Sequence, residues 1–269
     1  VDRKCEVERF LASLDAQTYQ NFELIVVDQN TDDKIVPLLL SYRNRFSILH
    51  VRSKRGSSKA RNVGLKYLSG DVVAFPDDDC WYLPNLIAQV ARFLCDHLEF
   101  DGVTGRIIDE VGDCIARFDT SKGLLNLFNV WQRTACPCIF LRTYVVKHVG
   151  KFDETLGGGT GTIWGGGEDI DYPLRAIESG FKIYYDPNIF VIHPNPLKNG
   201  YDKAINRAYS YGAGIGRVWK KHNYPNWLVT YYLLRPIGGS VLNFLGGNWS
   251  KAYYHWRAFC GRLRGWLFS

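Results

Sequence analysis

The chain has 269 residues, of which 46% are hydrophobic and 22% charged, a balance that excludes a disordered chain and allows one large core or two small ones. The net charge of +6 is unevenly placed: 11 of the 33 Lys and Arg, but one of the 27 Asp and Glu, lie from Lys198 onward. The earlier part therefore carries about −4 and the last part about +10, so a basic segment follows a mildly acidic body.

Residues 6–16 place Val7, Phe10, Leu11 and Leu14 at helical spacing, and residues 22–28 read as a buried strand ending in Asp28. Residues 48–51 follow as a second strand, 58–68 as a helix, and 72–75 as a third strand running into Asp77-Asp78-Asp79. Residues 83–98 are helical again, with Pro84 in the first turn, where a missing N–H costs nothing. This alternation predicts parallel βαβ units. The chain opens on a helix and contains no Met, so it reads as a segment of a longer chain whose preceding strand has been removed. Further on, residues 102–108 and 139–141 are predicted strands. Residues 157–167 hold seven glycines, a loop that is mobile or hugs a ligand. Glu168-Asp169-Ile170-Asp171 then opens a helix that runs through Ile177 and stops at Gly180. Residues 182–185 and 189–193 are two short strands, the second carrying His193 at its tip, and no internal repeat is visible.

The aspartate triplet is the sharpest chemical signal. Adjacent carboxylates repel, so three together need water or a cation to answer them, and the C-terminal end of a strand is where open α/β sheets bind ligands. The competing reading is a solvated acidic turn ahead of the next helix. Glu168 and Asp169 suit a helix N-terminus as dipole-compatible acids, yet a flexible loop just before them can leave one carboxylate as a general base. His193 is either a satisfied strand-end histidine or a ligand completing a site begun by the aspartates.

The seven cysteines show no framework spacing, and Cys136-Pro137-Cys138 has no partner pair for zinc. They read as reduced, mostly core thiols of a cytoplasmic protein, and no N-terminal signal pattern argues for secretion. The last segment holds five of the eight tryptophans (Trp219, Trp227, Trp249, Trp256 and Trp266). Residues 250–268 place Trp256, Phe259, Leu263 and Trp266 on one helical face, with Lys251, Arg257, Arg262 and Arg264 on the flanks or far side. Residues 227–247 are apolar but interrupted by Arg235-Pro236 and glycines, which favours an interfacial or re-entrant segment over a span. A peripheral contact with an anionic membrane fits this composition, a soluble helical cap packed on the body is the alternative, and nucleic acid is not expected because the aromatics lie on apolar faces.

In their order and spacing, several segments over residues 1–194 resemble the family 2 glycosyltransferases of GT-A fold: Gln17-Thr18-Tyr19 with Glu23 to Asp28, Ala60-Arg61-Asn62-Val63-Gly64-Leu65, Gly70-Asp71 leading into Asp77-Asp78-Asp79, Gly150-Lys151-Phe152-Asp153-Glu154, and Gly167-Glu168-Asp169-Ile170-Asp171 with Leu174-Arg175. The resemblance implies an α/β, Rossmann-like GT-A fold with a mostly parallel central sheet. It further implies a nucleotide-sugar-binding half (1–105) and an acceptor-binding and catalytic half (106–200), to which composition and helical pattern add a basic, aromatic, helical, membrane-peripheral tail (201–269). Under it, Asp28 contacts the nucleoside base, Arg61 and Asn62 lie near the nucleotide, and Asp77 and Asp79, spaced by Asp78, hold Mn²⁺ or Mg²⁺ on the donor diphosphate. His193 matches a histidine that ligates the same cation, Asp169 matches the catalytic base, Glu168 positions the acceptor, and Asp171 supports the helix start. After Asp28 the chain departs from many relatives, with Gln29-Asn30-Thr31 where a second Asp, Gly and Ser are common.

The implied reaction is inverting transfer of a sugar from a nucleotide-diphosphate donor to a saccharide or lipid-linked saccharide, at the cytoplasmic face of a membrane. A nucleotidyltransferase of related fold and a non-catalytic membrane-associated scaffold are the alternatives.

Overall fold

Strand and helix formation follow the hydrophobic pattern closely in the first hundred residues. The protein, seen in a computed structural model, is described for residues 3–195, 198 and 201–269, without the side chains of Asp202 and Lys203. The predicted boundary at residue 200 lies outside the described residues. Helix α1 (Lys4–Asp15) turns Phe10, Leu11 and Leu14 inward and is followed by β1 (Glu23–Asp28). Then come α2 (Val36–Tyr42), β2 (Ser47–Arg52) and α3 (Ser57–Gly64), which ends in a 3₁₀ turn at Leu65–Tyr67. Strand β3 (Val72–Ala74) leads past the aspartates to α4 (Leu86–Asp96) and β4 (Gly102–Ile108). After these come β5 (Gly123–Leu124), α5 (Val130–Arg133), β6 (Ile139–Arg142), α6 (Thr143–Val149), α7 (Glu168–Glu178) and β7 (Ile183–Ile192). Three helices close the chain: α8 (Asp202–Lys221), α9 (Asn226–Leu245) and α10 (Trp249–Leu267).

Packing divides the chain into two compact units. The first comprises Val1–Lys54, Ala60–Lys151 and Tyr172–Asn195; the second comprises Arg55–Lys59, Phe152–Asp171 and Pro196–Ser269.

The first unit holds both sheets. β1 and β2 pair in parallel, as the βαβ pattern predicts, and the larger sheet has the order β3-β6-β4-β7-β5. β4 and β7 are parallel, while β6 enters antiparallel between β3 and β4 and β5 pairs antiparallel with β7, so the sheet is mixed. Sequence order alone does not reveal that β6 inserts between two earlier strands. The core joins α1, α4 and the sheet through Leu11, Leu94, Val103, Phe140 and Val191, all buried. Each such side chain contributes roughly 1.5–3 kcal/mol by leaving water.

Three features differ from the sequence reading. α4 begins at Leu86, after Pro84, whose carbonyl accepts the Thr18 N–H at 2.8 Å. The two strands predicted near residues 182–193 are one, β7, because the pairing with β4 survives a bulge: Thr104 faces Tyr185 and Arg106 faces Phe190. Gly105 makes that bulge possible, since a Cβ there would lie 2.0 Å from the Ile189 carbonyl oxygen. The cysteines are all free, but only Cys80, Cys136 and Cys138 are buried, whereas Cys5, Cys95 and Cys114 are exposed.

In the second unit α8 and α10 meet backbone to backbone. A Cβ on Gly216 would lie 2.1 Å from the Arg262 carbonyl oxygen, and one on Gly265 would lie 1.9 Å from that of Ala213. This corrects the expected face of α10: Ala252, Gly261 and Gly265 point inward, and Trp256 is 47% exposed. Arg262, expected on the flank or far side, is half-buried, donates to the Tyr232 carbonyl at 2.8 Å and is pulled down to a pKa of about 10 by desolvation. α9 is one continuous helix with Pro236 inside it. Among the described residues no helix is long and apolar enough to cross a membrane.

Candidate active site

Strand β3 delivers the triplet, and an antiparallel bridge fixes it. Trp81 and Ile192 exchange backbone hydrogen bonds of 2.9 and 3.1 Å, tying the loop that carries the aspartates to the last residue of β7. The His193 N–H donates to the Ile108 carbonyl at 3.0 Å, so the imidazole is held at the C-terminal ends of β4 and β7. One ligand atom each from Asp77, Asp79 and His193 then lie within 4.8 Å of one another.

The histidine ring is oriented toward the acids. Its Nδ1 lies 2.7 Å from the Pro194 carbonyl oxygen, which can only accept, so Nδ1 carries a proton and Nε2 faces Asp79 Oδ1 at 3.2 Å. Burial alone lowers the His193 pKa, but the hydrogen bond and charge of Asp79 overcome it and hold the imidazolium above its ordinary value of 6.5. Burial likewise opposes ionisation of Asp79, and His193 and Arg3 overturn that, keeping the carboxyl below its usual range. Two carboxylates and an imidazole suit Mn²⁺ or Mg²⁺, with Mn²⁺ the better match to nitrogen.

Cations of the chain also answer the triplet. Arg61 of α3 reaches Asp77 Oδ1 at 3.1 Å, and Arg3 reaches Asp78 Oδ1 and Asp79 Oδ2 at 2.6 Å each. Asn62 is buried beside Arg61 in the sequence of α3. Asp28 ends β1 with its side chain 1% exposed; it accepts from the Asn30 N–H at 2.8 Å and the Asn30 amide at 2.9 Å, and His50 Nε2 lies 3.2 Å away.

The other acids belong to the second unit. Glu168 and Asp169, partly exposed, open α7, whose first turn closes through the Asp171 N–H on the Gly167 carbonyl at 2.9 Å. Ser57 Oγ donates to Glu168 Oε1 at 3.2 Å. The glycine run is partly explained by packing: Gly167 has φ 93°, and a Cβ on Gly214 of α8 would lie 2.0 Å from the Gly166 carbonyl oxygen. Tyr211 of α8 shares this surroundings. Burial pushes its phenol up, Arg207 pulls it back, and the charges of Glu168 and Asp169 push it up further.

Asp171, 1% exposed, receives Lys221 Nζ at 2.7 Å and His222 Nε2 at 2.9 Å. Lys221 also reaches Asp153 Oδ2 at 2.9 Å. Burial opposes charge on Asp153, yet Thr155 and Lys221 hold its carboxyl down to about 2.

The predicted trio Asp77, Asp79 and His193 thus comes together, with Arg61 beside it. Sequence reasoning missed Arg3, Lys221, His222 and the role of Asp153. Only the Lys220-Lys221-His222 run at the end of a helical pattern hinted at a polar anchor.

The fold is that of the GT-A glycosyltransferases. Mannosyltransferase PcManGT from Pyrobaculum calidifontis, solved in complex with GDP-Man and Mn2+, superposes with a TM-score of 0.66 at 13% identity, covering 97% of this chain and 83% of that one. The family model for Glycosyl transferase family 2 matches residues 2–150, and the chain belongs to that family. Glycosyltransferase AglE of Haloferax volcanii is 23% identical over 228 residues, 79% of this chain and 69% of its own length. The dolichyl N-acetyl-alpha-D-glucosaminyl phosphate 3-beta-D-2,3-diacetamido-2,3-dideoxy-beta-D-glucuronosyltransferase of Methanococcus voltae is 25% identical over 219 residues, 75% of this chain and 65% of its own length. Matches to these and two further curated relatives span between 31% and 69% of the relatives' lengths.

Proposed function

We propose that this chain transfers a sugar, with inversion, from a nucleotide-diphosphate donor to a saccharide or lipid-linked saccharide acceptor. The observation that carries the reading is the convergence of Asp77, Asp79 and His193, with His193 Nδ1 fixed on a carbonyl so that Nε2 faces the acids. These three residues would hold Mn²⁺ or Mg²⁺, which would supply Lewis-acid stabilisation of the departing diphosphate. PcManGT, solved in complex with GDP-Man and Mn2+, supports the donor class and the metal. The dolichyl phosphate named for the Methanococcus enzyme supports a lipid-linked acceptor.

In this reading Asp28 and the Asn30 turn it shapes serve the nucleoside base, and Arg61, Asn62 and Asp78 serve the nucleotide. Arg61 is suited to that task because its guanidinium can pass from a carboxylate to a phosphate of similar geometry. Glu168 positions the acceptor. Asp169 accepts the proton of the acceptor hydroxyl as its oxygen bonds to the anomeric carbon and the bond to the diphosphate breaks. One displacement inverts the anomeric centre and needs no covalent intermediate.

Residues 1–105 carry the donor, 106–200 the acceptor and base, and 201–269 a tail that rests on the cytoplasmic face of an anionic membrane. Supporting the last role, residues 203–269 contain no acid, and α9 and α10 expose Trp227, Leu242, Leu245 and Trp249 alongside Arg235 and Lys251.

Asp169→Asn tests the assignment. Transfer should fall by about a thousandfold or more while nucleotide-sugar affinity is kept, since the substitution removes a proton acceptor but little volume. Turnover within tenfold of the wild type would sink the base assignment, and a wild-type protein that transfers no sugar from any nucleotide sugar would favour a scaffold. Release of pyrophosphate in place of a nucleoside diphosphate would favour the nucleotidyltransferase.

A further inference from the structure

We infer that the C-terminal end of α8 is a positioning clamp for the catalytic turn: Lys221 and His222 act through Asp171 and Asp153 to hold Glu168 and Asp169 in place. The inference rests on the reading of Asp169 as the base. Successive helical residues turn by about 100°, so Asp171 projects roughly opposite to Asp169 on the same first turn of α7. Its buried carboxylate meets Lys221 Nζ at 2.7 Å and His222 Nε2 at 2.9 Å, two consecutive residues closing α8.

Lys221 does more than neutralise one acid. Its ammonium bridges to Asp153 Oδ2 at 2.9 Å, and Asp153 is itself fixed through Oδ1 by the Thr155 N–H at 3.0 Å and the Thr155 hydroxyl at 2.6 Å. Arg217, one helical turn earlier on α8, lies 3.9 Å from the same Asp153 oxygen and 4.0 Å from the Trp164 ring centroid in the glycine loop. The loop entering α7 is therefore gripped from α8 at Trp164, at the Gly166–Gly214 backbone contact and at Asp171.

A buried ion pair adds little net stability against an apolar pair of the same shape, whereas it fixes geometry closely. A bridged pair of carboxylates behind a proton-accepting residue fits a positioning task. Carboxylates and cations that orient catalytic groups from behind typically change activity about 10- to 100-fold when removed. On this account α8, the first helix of the tail, also serves the catalytic apparatus, while α9 and α10 carry the exposed apolar side chains proposed to meet the membrane.

The test compares Lys221→Met, Lys221→Arg and His222→Gln with Asp169→Asn and with double variants, in the full chain. Expected for Lys221→Met is a kcat lower by about 10- to 100-fold, with KM for the nucleotide sugar and Mn²⁺ affinity within twofold of the wild type, and recovery of most of the rate in Lys221→Arg. Because Lys221 acts through Asp169, adding Lys221→Met to Asp169→Asn should cost nothing further. If Lys221→Met does not fold, His222→Gln, which takes away the imidazole held 2.9 Å from Asp171 Oδ1 and leaves a polar residue in its place, carries the same comparison. A folded Lys221→Met or His222→Gln with wild-type kcat, or a full further loss in the double variant, overturns the clamp while leaving the base assignment intact. Wild-type turnover by Asp169→Asn alone overturns the base assignment and the clamp with it.

Discussion

Three adjacent aspartates are split by their partners into different roles. Asp77 and Asp79 face His193, while Asp78 has its side chain 44% exposed and meets Arg3. Because His193 stays protonated to a pH above 6.5, a proton competes with the cation for Nε2. Mn²⁺ affinity should therefore rise as pH increases through that raised pKa and level off above it. Calorimetric titration checks this, with His193→Ala binding about 10- to 100-fold more weakly and losing the pH dependence, and Asp78→Asn close to the wild type. A pH-independent affinity in the wild-type protein would remove His193 from the ligand set. The triplet and His193 were legible because each ends an apolar run, which places it at a strand tip whatever the rest of the fold does. Arg3, Lys221 and His222 were not, since their partners lie 75, 50 or more residues away and only packing brings them together.

Helices and strands differ in how well the sequence announces them. α1, α4 and α7 show helical periodicity and β1 is a continuous apolar run, so both the βαβ opening and the acid-bearing helix could be read directly. α6 was missed because Val145, Val146 and Val149 give it the β-branched look of a strand, and α2 is only seven residues long. The last helix was read by its aromatics, yet glycines decide its packing. Gly212 and Gly216 on α8, with Gly261 and Gly265 on α10, are spaced by four and let the two backbones touch. Gly265→Ala would place a methyl 1.9 Å from a carbonyl oxygen, forcing the helices apart. The expected cost is about 1–3 kcal/mol, seen as a Tm lower by about 2–4 °C per kcal/mol. An unchanged Tm would mean that the pair yields without strain.

Across the whole chain, charge separates an acidic catalytic body from a basic end, and this was legible from composition alone. Which part of that end serves which task was not, because α8 carries its cations inward to Asp153 and Asp171 while α9 and α10 leave apolar side chains exposed. The intact protein should co-sediment with anionic liposomes at low salt and release as ionic strength rises, with Leu242→Glu and Trp249→Glu weakening the association. Failure to co-sediment at low salt would leave those exposed side chains without the membrane role proposed for them.

The proposed transfer is a single displacement in which one carboxylate takes a proton and a nucleoside diphosphate departs. Its most direct measure is the anomeric configuration of the glycoside formed, read by proton NMR of the product from a nucleotide sugar supplied with Mn²⁺. A single displacement gives a configuration opposite to that of the donor sugar. A product that keeps the donor's configuration would contradict it.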